Sequence, residues 1–596
     1  MQFTTRPVLM GTNGMVTSTH YLASQAGFCC LKRGGNAVDA GATMWFCLTI
    51  LEPHLVGVAG ESPILVYSAE EEKVVAVNGQ GPAPKAATMD WFKEHGYDMI
   101  PPDGFLPAVV PSAFDTWVKT LDKFGTMTLK EVLEPAIELA GKGFPMYPEL
   151  RRSLAEPNQQ VGYSTNDSNM KSRQMSVAER FLKEWRSSAE TYLVDGQVPP
   201  VGRVIRNPDW ARTFEEVVKV ETKARKNGRE AGLQAAQDYF YSGPIAQKMI
   251  KFMQTFLCRD VYGQEHHGLL SLEDLAEYSA RFEEPVTVKY RGYDVYKCGP
   301  WTQGPVLLEH LNLLEGFDLR QMGHNTVDYL HTWVECAKLA FADREQYYAD
   351  PDFVQVPLDR LLSKEYADHR RNLVDPDRAS MELRPGGTVP AKLKSKNLEQ
   401  TEGDTVHLEA MDRFGNMISA TPSGGWISTS PIIPGLGFCM NTRAQMFHLD
   451  PRHVERLEPG KKPSTTLSPS LVMKEQAPYL AFGTPGADQQ DQWTLQFFLN
   501  YVEFGMGIQL ALDTPTVHST HFPCSFWPHS AHPGVMHAET GIPEKVIFGL
   551  REKGHKVVVD EPWSHGRCLA IQYDIKTGVI SGGASPRGMK AYAIGW

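Results

Sequence analysis

In the run Gly403-Asp404-Thr405-Val406-His407-Leu408-Glu409-Ala410, a polar, irregular approach meets a strand at a hydroxyl residue, and any fold of this chain has to accommodate that junction. The approach, Met381 to Asp404, is rich in Pro, Gly and Lys. Val406, Leu408 and Ala410 then alternate with more polar neighbours and lead into Asp412-Arg413-Phe414-Gly415-Asn416, a turn between strands. The pattern predicts a mobile linker ending on a buried strand. If the peptide bond before Thr405 were cut, one residue would carry both a nucleophilic hydroxyl and a general base, because an α-amine titrates at about 7.7 to 8.0. A threonine at the start of a strand is also an ordinary structural feature, and this stretch alone does not decide between the two readings.

At 596 residues, with 42% hydrophobic and 22% charged residues, the chain has the composition of a globular protein with a large core, and no composition break divides it. A net charge of -11 argues against nucleic acid as a partner, since phosphate neutralisation needs a clustered basic surface. Lys461-Lys462 and Arg370-Arg371 read as short solvated pairs. The first residues lack the apolar core of a signal peptide, and Ala37 to Leu51 contains Asp39 and is too short to span a bilayer, so it reads as a buried helix. Nine cysteines without repeated spacing suggest free thiols in a reducing, cytoplasmic setting. Neither a C-x-x-C pair nor H-E-x-x-H occurs, so no metal site and no cofactor are expected.

Apolar residues at helical spacing predict helices over Tyr21 to Lys32, Leu129 to Gly141, Ala211 to Arg225, Ile245 to Phe256, Val327 to Tyr348 and Thr494 to Phe504. Short apolar runs bounded by turn residues predict strands at Met15 to Thr19, Ile64 to Ser68, Val74 to Asn78, Leu408 to Ala410, Met417 to Thr421, Leu471 to Met473, Tyr479 to Phe482 and Cys568 to Ile571, and the alternation through Val286 to Tyr296 predicts a hairpin. Grouped strands with flanking long helices indicate a layered α+β body rather than a parallel βαβ series.

Several segments resemble, in order, the γ-glutamyltransferase family of N-terminal nucleophile hydrolases. They are Gly34-Gly35-Asn36-Ala37-Val38-Asp39-Ala40, Val110-Pro111-Ser112-Ala113-Phe114, Phe124-Gly125-Thr126-Met127, Glu134 to Ala140, Ala337 to Arg344, the Thr405 strand, Gly483-Thr484-Pro485-Gly486-Ala487-Asp488 and Gly582 to Arg587. Only the middle, about Arg151 to Glu284, matches weakly. The resemblance implies a four-layer αββα sandwich and a precursor cut between Asp404 and Thr405, with 1-404 as a large subunit and 405-596 as a small one, interleaved in one folded unit. It also implies a small-molecule amide substrate and no membrane partner; the oligomeric state, a dimer of such subunit pairs included, stays open.

By the same resemblance Thr405 is the nucleophile, Ser423 the hydroxyl bonded to it, and Gly486 and Ala487 the donors of two N–H groups to the oxyanion. Ala487 replaces a glycine, a change expected to require a negative φ. The pocket departs from the glutathione-cleaving members. Gln80 stands where they carry an arginine for the substrate carboxylate, Met446 where they carry an aspartate for the ammonium, Thr465 and Thr466 where they carry paired serines, and Gly425 where they carry an asparagine. Asn441 is expected among the substrate contacts with Gln80, Thr465 and Thr466, and Arg443 beside it is a new cation, expected either to anchor a substrate carboxylate or to pair with Asp450 or Asp488. The expected function is therefore an autoprocessed amide hydrolase or acyltransferase acting on a carboxylate-bearing amide without the full γ-glutamyl head. The alternatives are a genuine γ-glutamyl hydrolase or transferase and an unprocessed, non-enzymatic binding protein. His407 reads equally well as structural or functional.

Overall fold

The computed structural model describes residues 3–157, 175–387 and 405–596, so Asp404 at the expected cut, and the linker before it from 388 onward, lie outside the described residues. Two seven-stranded sheets form the centre, each antiparallel throughout. One runs, in spatial order, Leu9–Gly11, Val579–Ala584, Leu569–Asp574, Ala477–Gly483, Ser470–Lys474, Tyr293–Lys297 and Val286–Tyr290. The other runs Tyr592–Gly595, Gly14–Ser18, Leu408–Asp412, Met417–Ala420, Ile64–Ser68, Lys73–Asn78 and Arg281–Glu283.

Strand alternation builds the layers. Val16, Ile64, Val66, Leu408 and Ala410 face a helical layer that includes Ala37–Leu51, whereas Met15, Leu65, Tyr67, Met411 and Met417 face Leu471, Met473, Ala481, Ile571 and Ile580 of the other sheet. That second sheet turns Val295, Val472, Leu480 and Phe482 toward the helices Gly304–Leu314, Val327–Tyr347 and Gln490–Val502. Helix, sheet, sheet and helix are thus stacked over three cores, the four-layer αββα sandwich.

Residues on both sides of position 404 share the sheets. Leu408–Asp412 pairs directly with Gly14–Ser18, Ala410 standing opposite Val16, and Gly14–Ser18 pairs on its other edge with Tyr592–Gly595. The Gly34 to Ala40 motif starts the buried helix Ala37–Leu51. Asn36 Oδ1 accepts from the Val38 and Asp39 N–H groups at 3.0 Å, and Asp39 Oδ2 accepts from the Asn36 N–H at 2.9 Å. Asp39 also accepts from the Thr126 and Met127 N–H groups at 2.9 and 3.0 Å, so two separate sequence motifs form one structural joint.

The expectation of solvated basic pairs is corrected. Lys461 is fully buried, donating to the Val454 and Arg456 carbonyls, and Arg370 is buried, donating to the Leu339 and Arg384 carbonyls. Backbone carbonyls together with the carboxylates of Asp343, 3.3 Å from Arg370, and Glu458, 3.5 Å from Lys461, take up these cations. All nine cysteines are free thiols, and no helix among the described residues is long and apolar enough to cross a membrane.

Candidate active site

Thr405 stands just ahead of the strand Leu408–Asp412 and pairs with Ser423 in an isolated antiparallel bridge, supported by Val406 N–H donating to Pro422 O at 3.1 Å. Ser423 in turn bridges Glu61. Three segments distant in sequence therefore lie side by side at backbone level. Gly424 and Gly425 follow at φ +78° and +71°, left-handed values suited to glycine, and a Cβ at Gly424 would lie 2.5 Å from Glu61 Oε2.

Side chains complete the assembly. Thr405 Oγ1 donates to Ser423 Oγ at 3.3 Å, and Arg443 Nη2 donates to the same oxygen at 2.6 Å. Arg443 Nε contacts Glu61 Oε1 in an ion pair that does not meet hydrogen-bond geometry, with both residues about 1% exposed. Burial raises the Glu61 carboxyl and lowers the Arg443 guanidinium, while the mutual attraction opposes both shifts. The expected pairing of Arg443 with Asp450 or Asp488 is corrected: Asp450 pairs with Arg452 and Asp488 with Arg344. The guanidinium lies 4.7 Å from the Trp426 ring centroid and 5.4 Å from that of Phe526, and Nη1 meets Met446 Sδ at 3.9 Å.

Asn441, expected among the substrate contacts, spends its amide on backbone. Nδ2 donates to Ala59 O and Val109 O at 2.8 and 2.9 Å, and Oδ1 accepts from the Val109 N–H at 3.0 Å. This anchors the short helix Arg443–Met446. Gln80 is fully buried with neither amide atom bonded among the described residues, and the same holds for Thr466 Oγ1. Thr465 is fastened by its backbone to Trp301 and Gln303. A cleft of about 450 Å³ open to solvent adjoins Met446 and Thr465 and is also lined by Gln303, Tyr348, His448 and Glu455.

The strand Ala477–Gly483 that precedes the Gly486 turn packs against His407, two residues beyond Thr405. A Cβ at Gly483 would overlap the His407 ring, so the two strands close on each other only because residue 483 has no side chain. His407 is bonded to Thr421 Oγ1 at 2.9 Å and Glu409 Oε1 at 2.7 Å. Burial pushes it down to about 3, so it is neutral and structural. Gly486 has φ +127° and ψ +43°. Ala487 has φ +47°, which corrects the expectation of a negative value; a non-glycine residue there costs about 1–2 kcal/mol. The next residue holds the turn: Asp488 accepts from Ser525 N–H at 3.0 Å and Ser525 Oγ at 2.6 Å and pairs with Arg344, while Gln303 Nε2 donates to Ala487 O at 3.3 Å. Among the described residues neither the Gly486 nor the Ala487 N–H has a hydrogen-bond acceptor.

Glu61, Trp426, Phe526 and Gln303 carried no sequence signal. Glu61 sits in an unremarkable Gly60-Glu61-Ser62 run and gains its place only through the bridge to Ser423. Among the described residues no group of three or more His, Cys, Asp or Glu is placed to hold a metal ion.

Two antiparallel sheets between helical layers, with a threonine leading into a central strand, define the N-terminal nucleophile hydrolase class of fold. The chain belongs to the gamma-glutamyltranspeptidase family, whose profile matches residues 23–595. It is 30% identical to the glutathione hydrolase-like YwrD proenzyme of Bacillus subtilis over 588 residues, 97% of this chain and 98% of that one. The solved structure of LmbA2991HD superposes with a TM-score of 0.91 at 41% identity, covering 100% of both chains. The cephalosporin acylase of Bacillus halodurans superposes with a TM-score of 0.82 at 30% identity, covering 100% of this chain and 98% of the other.

Proposed function

We propose that this chain is a self-processing amide hydrolase that carries its acyl group on Thr405. The supporting observation is the row Thr405, Ser423, Arg443, Glu61, in which the candidate nucleophile's hydroxyl is bonded to a serine whose oxygen is itself fixed by a paired arginine. Arginine has no acceptor, so it always donates to Ser423 and occupies one of its lone pairs, which orients the serine toward Thr405.

Thr405 Oγ attacks the Asp404 carbonyl carbon, the C–N bond breaks as the peptide becomes an ester and the α-amine takes up the Oγ proton, and water then cleaves the ester to leave an Asp404 carboxylate and a free Thr405 hydroxyl. The α-amine that serves as base exists only after the cut, which makes self-cleavage the gate to turnover. In turnover the amine takes the Oγ proton as Oγ attacks the acyl carbon. The Gly486 and Ala487 N–H groups receive the oxyanion, the C–N bond breaks, and the proton passes to the leaving amine. Water then resolves the acyl-enzyme.

The acyl group follows from the pocket. Trp426, Met446, Ala487, Cys524 and Phe526 form an apolar cluster around Arg443, and the nearest carboxylate to that guanidinium, Glu61, is already engaged. A substrate ammonium would be left buried and unpaired, at a cost of several kcal/mol. A carboxylate can approach Arg443 Nη1, whose contact is the weakly accepting Met446 sulfur. Because the guanidinium is one hydroxyl away from Thr405, that carboxylate has to sit close to the scissile carbonyl, which favours short acyl groups over a γ-glutamyl one. Names among the relatives, acylase and glutathione hydrolase-like, agree with amide cleavage. The test is a panel of N-acyl and γ-glutamyl amides against wild type and Thr405→Ala, with mass spectrometry of the trapped acyl group. Turnover by an uncut wild-type chain would overturn the mechanism.

A further inference from the structure

The indole of Trp493 is held between two glycines from distant parts of the chain. A Cβ at Gly486 would overlap the ring at Cζ3, with Cε3 and Cη2 at 3.1 and 3.2 Å, and a Cβ at Gly566 would lie 2.5 Å from Cε3 and 2.8 Å from Cδ2. The ring is further enclosed by His565, stacked at 5.5 Å between centroids, and by His518, edge-on at 5.2 Å. His565 does not yield: its Nε2 meets Asp560 Oδ2 at 2.9 Å, its Nδ1 meets Thr516 Oγ1 at 3.1 Å, and its N–H donates to Glu539 Oε1 at 3.0 Å. Trp493 Nε1 has no partner among the described residues, so packing alone accounts for an indole at this place.

What the ring presses on is the turn with two consecutive positive-φ residues, Gly486 and Ala487. Such conformations persist only where the surroundings over-determine them. The Asp488 network restrains the turn from its far end, and the Trp493 ring restrains it from behind.

We propose that Trp493 is the positioning residue of the oxyanion turn, a rigid wedge that keeps the Gly486 and Ala487 N–H groups aimed at the charge developing on the acyl oxygen. This rests on the reading of that turn as the oxyanion site. A smaller side chain lets the turn relax into the space left behind it. The loss falls on the transition state, where those hydrogen bonds strengthen, and little on ground-state binding, so kcat drops while KM holds.

The experiment measures kcat and KM for Trp493→Phe, Trp493→Leu, Gly486→Ala and the Trp493→Leu/Gly486→Ala double variant, each on protein shown by intact mass to be cut. Trp493→Leu is expected to lower kcat about tenfold or more with KM within about twofold, and Trp493→Phe to lower it less. Gly486→Ala, which meets both the ring and the φ of +127°, is expected to lower kcat on the order of a hundredfold in wild type and less in the Trp493→Leu background, where the clash is relieved and only the backbone strain remains. Effects that simply multiply, or a Trp493→Leu enzyme with wild-type kcat, overturn the proposal. If Gly486→Ala itself keeps wild-type kcat, the oxyanion assignment fails; if it is crippled while Trp493→Leu turns over normally, only the role of Trp493 fails. Should Trp493→Leu not be cut, Trp493→Phe and Trp493→Tyr carry the same coupling test.

Discussion

Glu61 and Ser423 stand opposite each other in a two-residue antiparallel bridge, Glu61 N–H donating to Ser423 O and Ser423 N–H to Glu61 O, each at 3.0 Å. That bridge delivers the Glu61 carboxylate to Arg443, and Arg443 to the hydroxyl beside Thr405. A cation placed by its own counter-ion can be tested by removing either partner.

Arg443→Gln and Glu61→Gln should each lower the melting temperature, since leaving one buried charge unpaired costs roughly 3–5 kcal/mol. The Arg443→Met/Glu61→Leu double variant should regain most of that stability by apolar packing and remain impaired in turnover. On a matched pair of substrates, Arg443→Gln should cut kcat/KM about tenfold or more for the carboxylate-bearing amide and less for the neutral one. Equal losses on both would limit Arg443 to orienting Ser423.

Thr405→Ala should remain one chain and show no turnover, whereas wild type should give two pieces by intact mass. Ser423→Ala should still be cut, more slowly, and should lose kcat more than KM, because the hydroxyl it removes acts on the nucleophile rather than on the bound substrate. Normal kcat in Ser423→Ala would dissociate Ser423 from the nucleophile.

Glutathione and γ-glutamyl-p-nitroanilide should be poor substrates, and Met446→Asp should not rescue them. Arg443 Nη1 already lies 3.9 Å from the Met446 sulfur, so a new carboxylate there would be captured by the guanidinium instead of by a substrate ammonium. A large gain in γ-glutamyl hydrolysis from that single change would show that a carboxylate at 446 stays free for the substrate ammonium and that Arg443 does not capture it.

Glu409 and His407 make a buried pair, Glu409 Oε1 lying 2.7 Å from His407 Nε2, in which burial raises the carboxyl and lowers the imidazole. Burial raises Glu409 well above its ordinary 4.5, so above about that pH the native state holds a proton that the unfolded chain has released, and stability falls as pH rises. His407 acts in the opposite sense: held at about 3 against an ordinary 6.5, it costs stability as pH falls below 6.5. Glu409→Gln keeps the hydrogen bond and removes the first dependence alone. Its advantage in melting temperature over wild type should widen from about pH 5 to about pH 8, as followed by thermal denaturation. A difference independent of pH would mean that Glu409 is ionised in the folded protein.

Much of the framework was legible because local pattern and tertiary demand agree. The helix expected at Tyr21 to Lys32 and the strand at Ile64 to Ser68 are found at those bounds, and the alternation through Leu408 and Ala410 does place both against the helical layer. Where the two disagree, the pattern misleads. Val579–Ala584 contains Ser581-Gly582-Gly583, a run without strand pattern, yet it is a strand, its glycines admitting Met15 and Leu512 to close packing. Tyr592–Gly595 is likewise a strand by virtue of pairing with Gly14–Ser18.

The sequence by itself determined the layered α+β class, the strand led by Thr405 and the candidate positions of Ser423, Gly486, Ala487, Gln80 and Met446. These are properties of residue type and order. Only the tertiary structure decided that Arg443 belongs to Glu61, that Asn441 is spent on backbone, and that Ala487 is held at positive φ by the Asp488 network. Each of those depends on which distant segments are brought together, and a buried charge or a strained residue is stable only in the presence of partners that its own neighbours along the chain do not supply.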